Sequence, residues 1–298
     1  MVKHLLSIAM VLSVFSTTPA LGKVIHNERS LYRNILVEDQ GDVRCLKFNV
    51  KRSKSSQSCI YKSDPQRLVF NYTKLLFSGL LMIDEPKNVL IIGLGGGTMS
   101  NALHQLFPQA HIDNVEIDPA VIKVARKYFA FFENERIKSV VQDGRIFVKR
   151  AAIKNKKYDW VILDAFNGDY IPEHLLTQEY LQEVKSVLTD DGIITANTFS
   201  ISKLYEHESA TYHQVFGNYF NVSNSKNSNR VILASANQLP TSEAIMKRIN
   251  ALGDTLSVFG VDIKAIEASM TSTQDVKDWP AETRILTDQY SPANLLNN

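Results

Sequence analysis

The chain has 298 residues, 44% hydrophobic and 21% charged, with thirteen Gly and nine Pro; this excludes collagen-like and low-complexity proteins and fits one large domain or a main domain with a small accessory one. Thirty-three basic and thirty-one acidic residues leave a formal charge of +2. No concentrated basic face of the kind a nucleic-acid binder needs is visible, so no nucleic-acid partner is expected.

In residues 1–22, Lys3 precedes an apolar run from Leu5 to Phe15, and a polar stretch then ends in small residues. The run is about half of the roughly 20 residues needed to span a bilayer, which predicts a cleaved export signal rather than a transmembrane helix. Ala20 and Gly22 satisfy the small-x-small cleavage pattern, with a cut after Gly22 expected and one after Ala20 as the alternative. The mature protein is then exported, periplasmic or secreted, with no membrane span; the rival is a chain anchored by its uncleaved N-terminal segment.

From Ile35 to about Tyr61 the pattern is short β: ILVED, a QGD turn, then VRCLKFNV and SCIYK. The two cysteines, Cys45 and Cys59, fall in the last two of these runs. A hairpin centred on Arg52, in the polar KRSKSS turn, sets them directly opposite each other, close enough for a disulfide. Export into an oxidising compartment favours that bridge over two free thiols. The spacing is no metal signature, and His207 and His213 are wrongly spaced for one helix face; no metal site is expected.

A helix is expected from about Pro65 to Leu81, with Leu68, Tyr72, Leu75, Leu76 and Leu80 on one face. Strands and helices then alternate: strand 89–92, helix 99–107, strand 112–117, a helix opened by Pro119, strand 137–143, helix 144–152, strand 158–164, helix 177–188 and strand 192–199. This alternation implies a parallel sheet covered on both faces. Trp160 reads as a core residue of the fourth strand. YHQVF looks helical, and YFNVS and RVILAS, joined by a polar turn, add an antiparallel edge. A helix near 241–252 and a tail that the pattern leaves unplaced complete the chain.

The strongest local signal is VLIIGLGGGTMS (89–100), a buried strand running into a glycine turn that opens a helix. Glycines there permit close backbone approach to a ligand, and the helix start offers unpaired N–H groups. Gly93 and Gly95 match the first two positions of a dinucleotide fingerprint, but Thr98 holds the third. No Lys-Ser/Thr follows, so an ATPase loop is excluded. Glu116 ends the second strand about 20 residues on, where an acid can accept from ribose hydroxyls; Asp118 suits a cap for the Pro119 helix. Asp143-Gly144 and Asp164 end the third and fourth strands. Each acid alone fits a helix cap equally well; together they outline one crevice at the carboxyl edge of the sheet.

VLIIGLGGGTMS, NVEIDPAVIKVARKYF, VVQDGRIFV and YDWVILDAFNGDYIPEHL, in that order, resemble the spermidine synthase family, the polyamine aminopropyltransferases. The resemblance covers roughly 85–235. It implies a class I S-adenosylmethionine-type Rossmann fold, an α/β parallel sheet with an antiparallel edge, preceded by a small N-terminal β domain. The expected division is a signal at 1–22, the β domain at 23–64, the Rossmann-like catalytic domain at 65–240, and a C-terminal helix and tail at 241–298. The implied reaction moves an aminopropyl group from decarboxylated S-adenosylmethionine to an amine such as putrescine, with that donor as co-substrate and no tightly bound cofactor. Gly93, Gly95 and Gly97 would line the nucleoside-sulfonium site, Glu116 would hold the ribose, and Asp143 and Gly144 would meet the adenine. Asp164 and Asp169 would serve the amine, with Tyr72, Asn167 and Tyr170 as substrate-binding residues. The family's dimers make a homodimer an expectation.

Two positions depart from the family pattern. Gly96 stands where the G-G-G-D-G-G loop has its aspartate, and Asn167 where D-x-x-D has its second acid. Gly96 makes room for the carboxylate of intact S-adenosylmethionine and so favours a methyltransferase; Asn167 and export favour a non-catalytic nucleoside- or polyamine-binding protein. Tyr170, Ile171 and Pro172 suit either a lid or a plain loop, and His174 a surface position at a helix start. Arg284 and Asp288 lie in the tail within conceivable reach of the crevice.

Overall fold

A computed structural model describes residues 22–49, 56–168, 170–223 and 228–292. The expected signal up to residue 21, the turn around Arg52 and Asp169 lie outside the described residues. Four strands form an antiparallel meander in chain order: β1 (Lys23–Arg29), β2 (Asn34–Gln40), β3 (Val43–Asn49) and β4 (Ser56–Tyr61). β1 has no counterpart in the expected pattern, because KVIHNER is mostly polar and its strand form comes from pairing with β2. Cys45 faces Cys59 in register, and the two form a disulfide with Cα atoms 4.1 Å apart. Closing a loop of this size stabilises the folded chain by about 3 kcal/mol in the chain-entropy model.

The first helix, α1 (Asn71–Leu76), starts later than expected and passes directly into a 3-10 turn at Phe77–Leu81. Leu68 bridges to Ile60 and donates its N–H to the Phe259 carbonyl at 3.0 Å, which holds the chain before α1 extended. Gly79 lies flat on Trp160, where a Cβ would come within 2.4 Å of the indole. Trp160 is fully buried, as a core residue should be, and donates its indole N–H to Thr195 Oγ1 at 2.9 Å.

Then follow β5 (Asn88–Ile92), α2 (Thr98–Leu106), β6 (His111–Glu116), α3 (Pro119–Tyr128), β7 (Ile137–Val141), α4 (Gly144–Ile153) and β8 (Tyr158–Leu163). After them come α5 (Gln178–Ser186), β9 (Leu188–Phe199), α6 (Tyr205–Phe216), β10 (Phe220–Ser223) and β11 (Asn229–Ser235). The chain continues with α7 (Ser242–Leu252), α8 (Ile263–Glu267) and β12 (Met270–Ser272). The strand order is β12-β10-β11-β9-β8-β5-β6-β7. β9, β8, β5, β6 and β7 run parallel, and β11, β10 and β12 form the antiparallel edge.

Apolar cores cover both faces of this sheet. A third joins the meander to α3, where Ile35, Val37, Leu46 and Phe48 bury against Val121, Val124 and Phe129. Between the expected helix near 241–252 and the unplaced tail that starts at Leu286, the chain adds two elements that periodicity did not mark: α8, which buries Ile263 and Ile266, and β12, which pairs with β10. Among the described residues no helix is long and apolar enough to cross a membrane.

Candidate active site

β5 leads by α2 to β6 on one side and is flanked by β8 on the other. Such a reversal of strand order leaves a crevice beyond the carboxyl ends of the strands. A cavity of about 560 Å³ lies there, closed on its far side by the N-terminal meander. Gly93 directly follows β5 at φ +97°, and a Cβ on it would sit 2.3 Å from the Asp164 carbonyl oxygen. The ends of β5 and β8 can lie side by side only because that position has no side chain. Gly97, the left-handed N-cap of α2, packs on Phe131 and lies outside the cavity wall.

Two acids mark the nucleoside half expected from sequence, Glu116 and Asp143, and both line the cavity. Glu116, at the end of β6, is buried and accepts from the backbone N–H of Leu94 at 3.2 Å and of Asp118 at 3.0 Å. Burial pushes its carboxyl up from the ordinary value, against those hydrogen bonds. Asp118 caps α3 through Ala120 N–H, as its place before Pro119 predicts, and accepts from Ser30 Oγ. Asp143 caps α4 through Ile146 N–H at 3.0 Å, and its second oxygen lies 2.8 Å from His174 Nε2. The bond to His174 holds this carboxyl below its usual range. Gly144 presses on Ile92, where a Cβ would come within 2.5 Å.

The other half is built around Asp164, which leaves β8 half-buried in the cavity wall. Asn197, on β9, donates to its Oδ1 at 2.7 Å, and Asn229, on β11, donates to Asn197 Oδ1 at 3.0 Å. Arg230, the next residue, is buried against Glu208 and over the Tyr205 ring, which fixes β11 at that point. Desolvation pushes the Asp164 carboxyl up to about 7, with the Asn197 bond opposing the rise. Tyr72 borders the same space and donates its hydroxyl to the Gln57 carbonyl at 3.1 Å, tying α1 to β4. Phe166 and Phe199 meet edge to face at 5.3 Å, giving this end an apolar side.

Asn167 lines the cavity and donates to the Tyr170 hydroxyl at 2.6 Å; Tyr170 folds back onto that amide and lies outside the wall. Arg284 and Asp288 are also outside it. His174, expected at the surface, is both half-exposed and part of the wall. Sequence reasoning missed Asn197 and Asn229, although polar residues near the ends of apolar strands are the signal that could have found them. It also missed Arg33, Phe48, Gln57 and Ser58 of the meander, for which no local signal exists. Among the described residues no group of His, Cys, Asp and Glu could hold a metal ion.

The description "Spermine/spermidine synthase domain" matches residues 69–229. The chain is 46% identical over 276 residues to the polyamine aminopropyltransferase of Vibrio vulnificus (strain CMCP6), covering 92% of this chain and 91% of that protein. It belongs to the spermine/spermidine synthase family. The fold is similar to that of a probable spermidine synthase from Corynebacterium glutamicum ATCC 13032, with a TM-score of 0.67 at 20% identity, covering 88% of this chain and 96% of that one. Human methyltransferase-like protein 13, solved in complex with SAH, aligns with a TM-score of 0.59 at 26% identity, over 63% of this chain and 93% of that one. Within this member of the family, the Gly96 departure has a structural partner. A Cβ at Gly96 would meet Ser58 Oγ at 2.7 Å and the Phe129 ring at 3.1 Å, so β4 occupies the space an aspartate would need.

Proposed function

We propose that this chain transfers an aminopropyl group from decarboxylated S-adenosylmethionine to a small amine. The observation that carries this reading is Asp164, half-buried beside the glycine turn with one oxygen held by Asn197. The whole-length likeness to a polyamine aminopropyltransferase supports it. In the reaction, the neutral amine nitrogen attacks the methylene carbon next to the sulfonium. A C–N bond forms, the C–S bond breaks, and its electron pair stays on sulfur as methylthioadenosine leaves. The proton of the resulting ammonium passes to Asp164, whose raised carboxyl is matched to a proton taken near neutral pH. Glu116 would accept from the ribose hydroxyls and Asp143 from the adenine amino group. The sulfonium is already a good leaving group, so positioning supplies most of the acceleration.

Gly96 favours a second reading, methyl transfer from intact S-adenosylmethionine, because no carboxylate at that position opposes the donor's own. Calorimetric titration with both donors and with methylthioadenosine separates the two. Tighter binding of the decarboxylated donor, followed by amine-dependent release of methylthioadenosine, is expected; preference for the intact donor would move the assignment to methyl transfer. Failure to bind any of the three would end the nucleoside reading.

Export of the mature chain is part of the same proposal, supported by the residue pattern of 1–22 and by the disulfide, a bond that persists in oxidising compartments. Protein recovered from outside the cytosol should start at Lys23 and have no reactive thiol by intact mass. A start at Met1 would favour the anchored alternative.

A further inference from the structure

The tail residue Asp288 has no place in the cavity wall, yet it bonds to residues beside it: Arg145 directly follows Gly144, and Thr177 comes two residues after Leu175. Its two oxygens accept from Arg145 at 2.7 and 2.8 Å, and Oδ1 also accepts from Thr177 Oγ1 at 2.8 Å. Its backbone N–H donates to Glu179 Oε2 at 3.0 Å. Arg145 sits in the first turn of α4, two residues after the Asp143 cap, and is held on its other side by Glu183 at 2.8 and 2.9 Å. Thr177 is the N-cap of α5. The tail is therefore fastened to both helices that flank the loop 172–177.

Neighbouring tail residues repeat the attachment. Gln178 N–H donates to the Leu286 carbonyl at 2.8 Å, and Leu286 is fully buried, with its own N–H on Thr211 Oγ1. Ser291 Oγ donates to the Glu173 carbonyl at 3.1 Å. Between these anchors the loop presents Pro172, His174 and Leu175 to the cavity, and His174 reaches Asp143. Arg145 Nη1 also approaches the His174 carbonyl, at 3.4 Å.

We infer that residues 286–291 form a strap that holds the loop 172–177 in place over the nucleoside end of the cavity, with Asp288 as the positioning residue. Asp288 touches no substrate; it acts through Arg145 and Thr177 on the loop that pairs with Asp143. The inference rests on the nucleoside-donor reading only for its effect on binding; the effect on the loop stands alone.

The test uses Asp288→Ala and the milder Asp288→Asn in the full mature chain. Hydrogen exchange of the free protein should show amides 173–177 exchanging faster in Asp288→Ala than in the wild type, with smaller effect in Asp288→Asn. Methylthioadenosine affinity and the donor KM should each worsen on the order of tenfold, while kcat at saturation and the amine KM hold, because misplacing a binding group acts on the ligand it meets. Unchanged exchange at 173–177 would overturn the strap whatever the protein binds. Faster exchange with unaltered methylthioadenosine affinity would overturn its role in the site. A wild type that fails to bind methylthioadenosine while the loop loosens in the variant would refute the donor reading, not the strap.

Discussion

Asp164→Asn should lower turnover by roughly 10²–10⁴-fold, the usual contribution of a positioned proton acceptor, and leave methylthioadenosine affinity nearly intact. The substitution keeps an oxygen for the Asn197 amide and changes little in shape. What it removes is the group that takes the ammonium proton. Only the ionised carboxylate can do so, and burial places its midpoint at about 7. In the wild type, kcat should therefore fall as pH drops through about 7, and this acid limb should be missing from the variant. Equal losses in turnover and donor binding would contradict the assignment.

The same group has an opposite effect on stability. A carboxyl raised in the folded state binds its proton more tightly there than in the unfolded chain. The fold is then favoured at low pH, loses that advantage between the unfolded and folded values, and bears the full penalty above about 7. Asp164→Asn removes the penalty, so at mildly alkaline pH the inactive variant should melt no lower than the wild type. A clear drop in melting temperature would show that the carboxylate is compensated by partners other than Asn197.

Gly93→Ala carries the second large effect. The residue sits at φ +97°, and its Cβ would lie 2.3 Å from the Asp164 carbonyl oxygen. Backbone strain of this kind costs roughly 1–3 kcal/mol, and forcing a methyl into packed backbone costs a similar amount, about 1–3 kcal/mol. Denaturant unfolding should register both, and methylthioadenosine affinity should fall as the ends of β5 and β8 are pushed apart. Gly41→Ala is the control: it also has positive φ, +59°, but nothing lies within 4 Å of its Cβ. If both variants lose the same stability, the close approach of the two strands has no special cost.

The five parallel strands were legible because each carries an apolar run, the first four closed by a glycine turn or an acid, and the helices between them show their faces. Gly93, Glu116, Asp143 and Asp164 were legible for the same reason, since the end of a parallel strand is a predictable place. β1 was not, because its strand form depends on β2 rather than on its own apolar content. The late start of α1 depends on Leu68 finding Ile60 and Phe259, contacts distant in sequence that periodicity does not encode. The Cys45–Cys59 bridge was readable because the two cysteines stand equally far on either side of Arg52 in a polar stretch. Arg33, Gln57 and Ser58 reach the cavity from a second sheet, and nothing in their neighbourhoods marks them.

The cavity is a mould cast in two halves. One half lies within residues 69–229, the stretch by which the family is recognised. The other half, with Arg33, Phe48, Gln57 and Ser58 on its surface, precedes residue 69. From that half Ser58, together with Phe129 of the other, fills the space that an acid at Gly96 would need. Changes in that leading half can reshape what fits the cleft without disturbing the signature, so two members with the same signature need not accept the same guest.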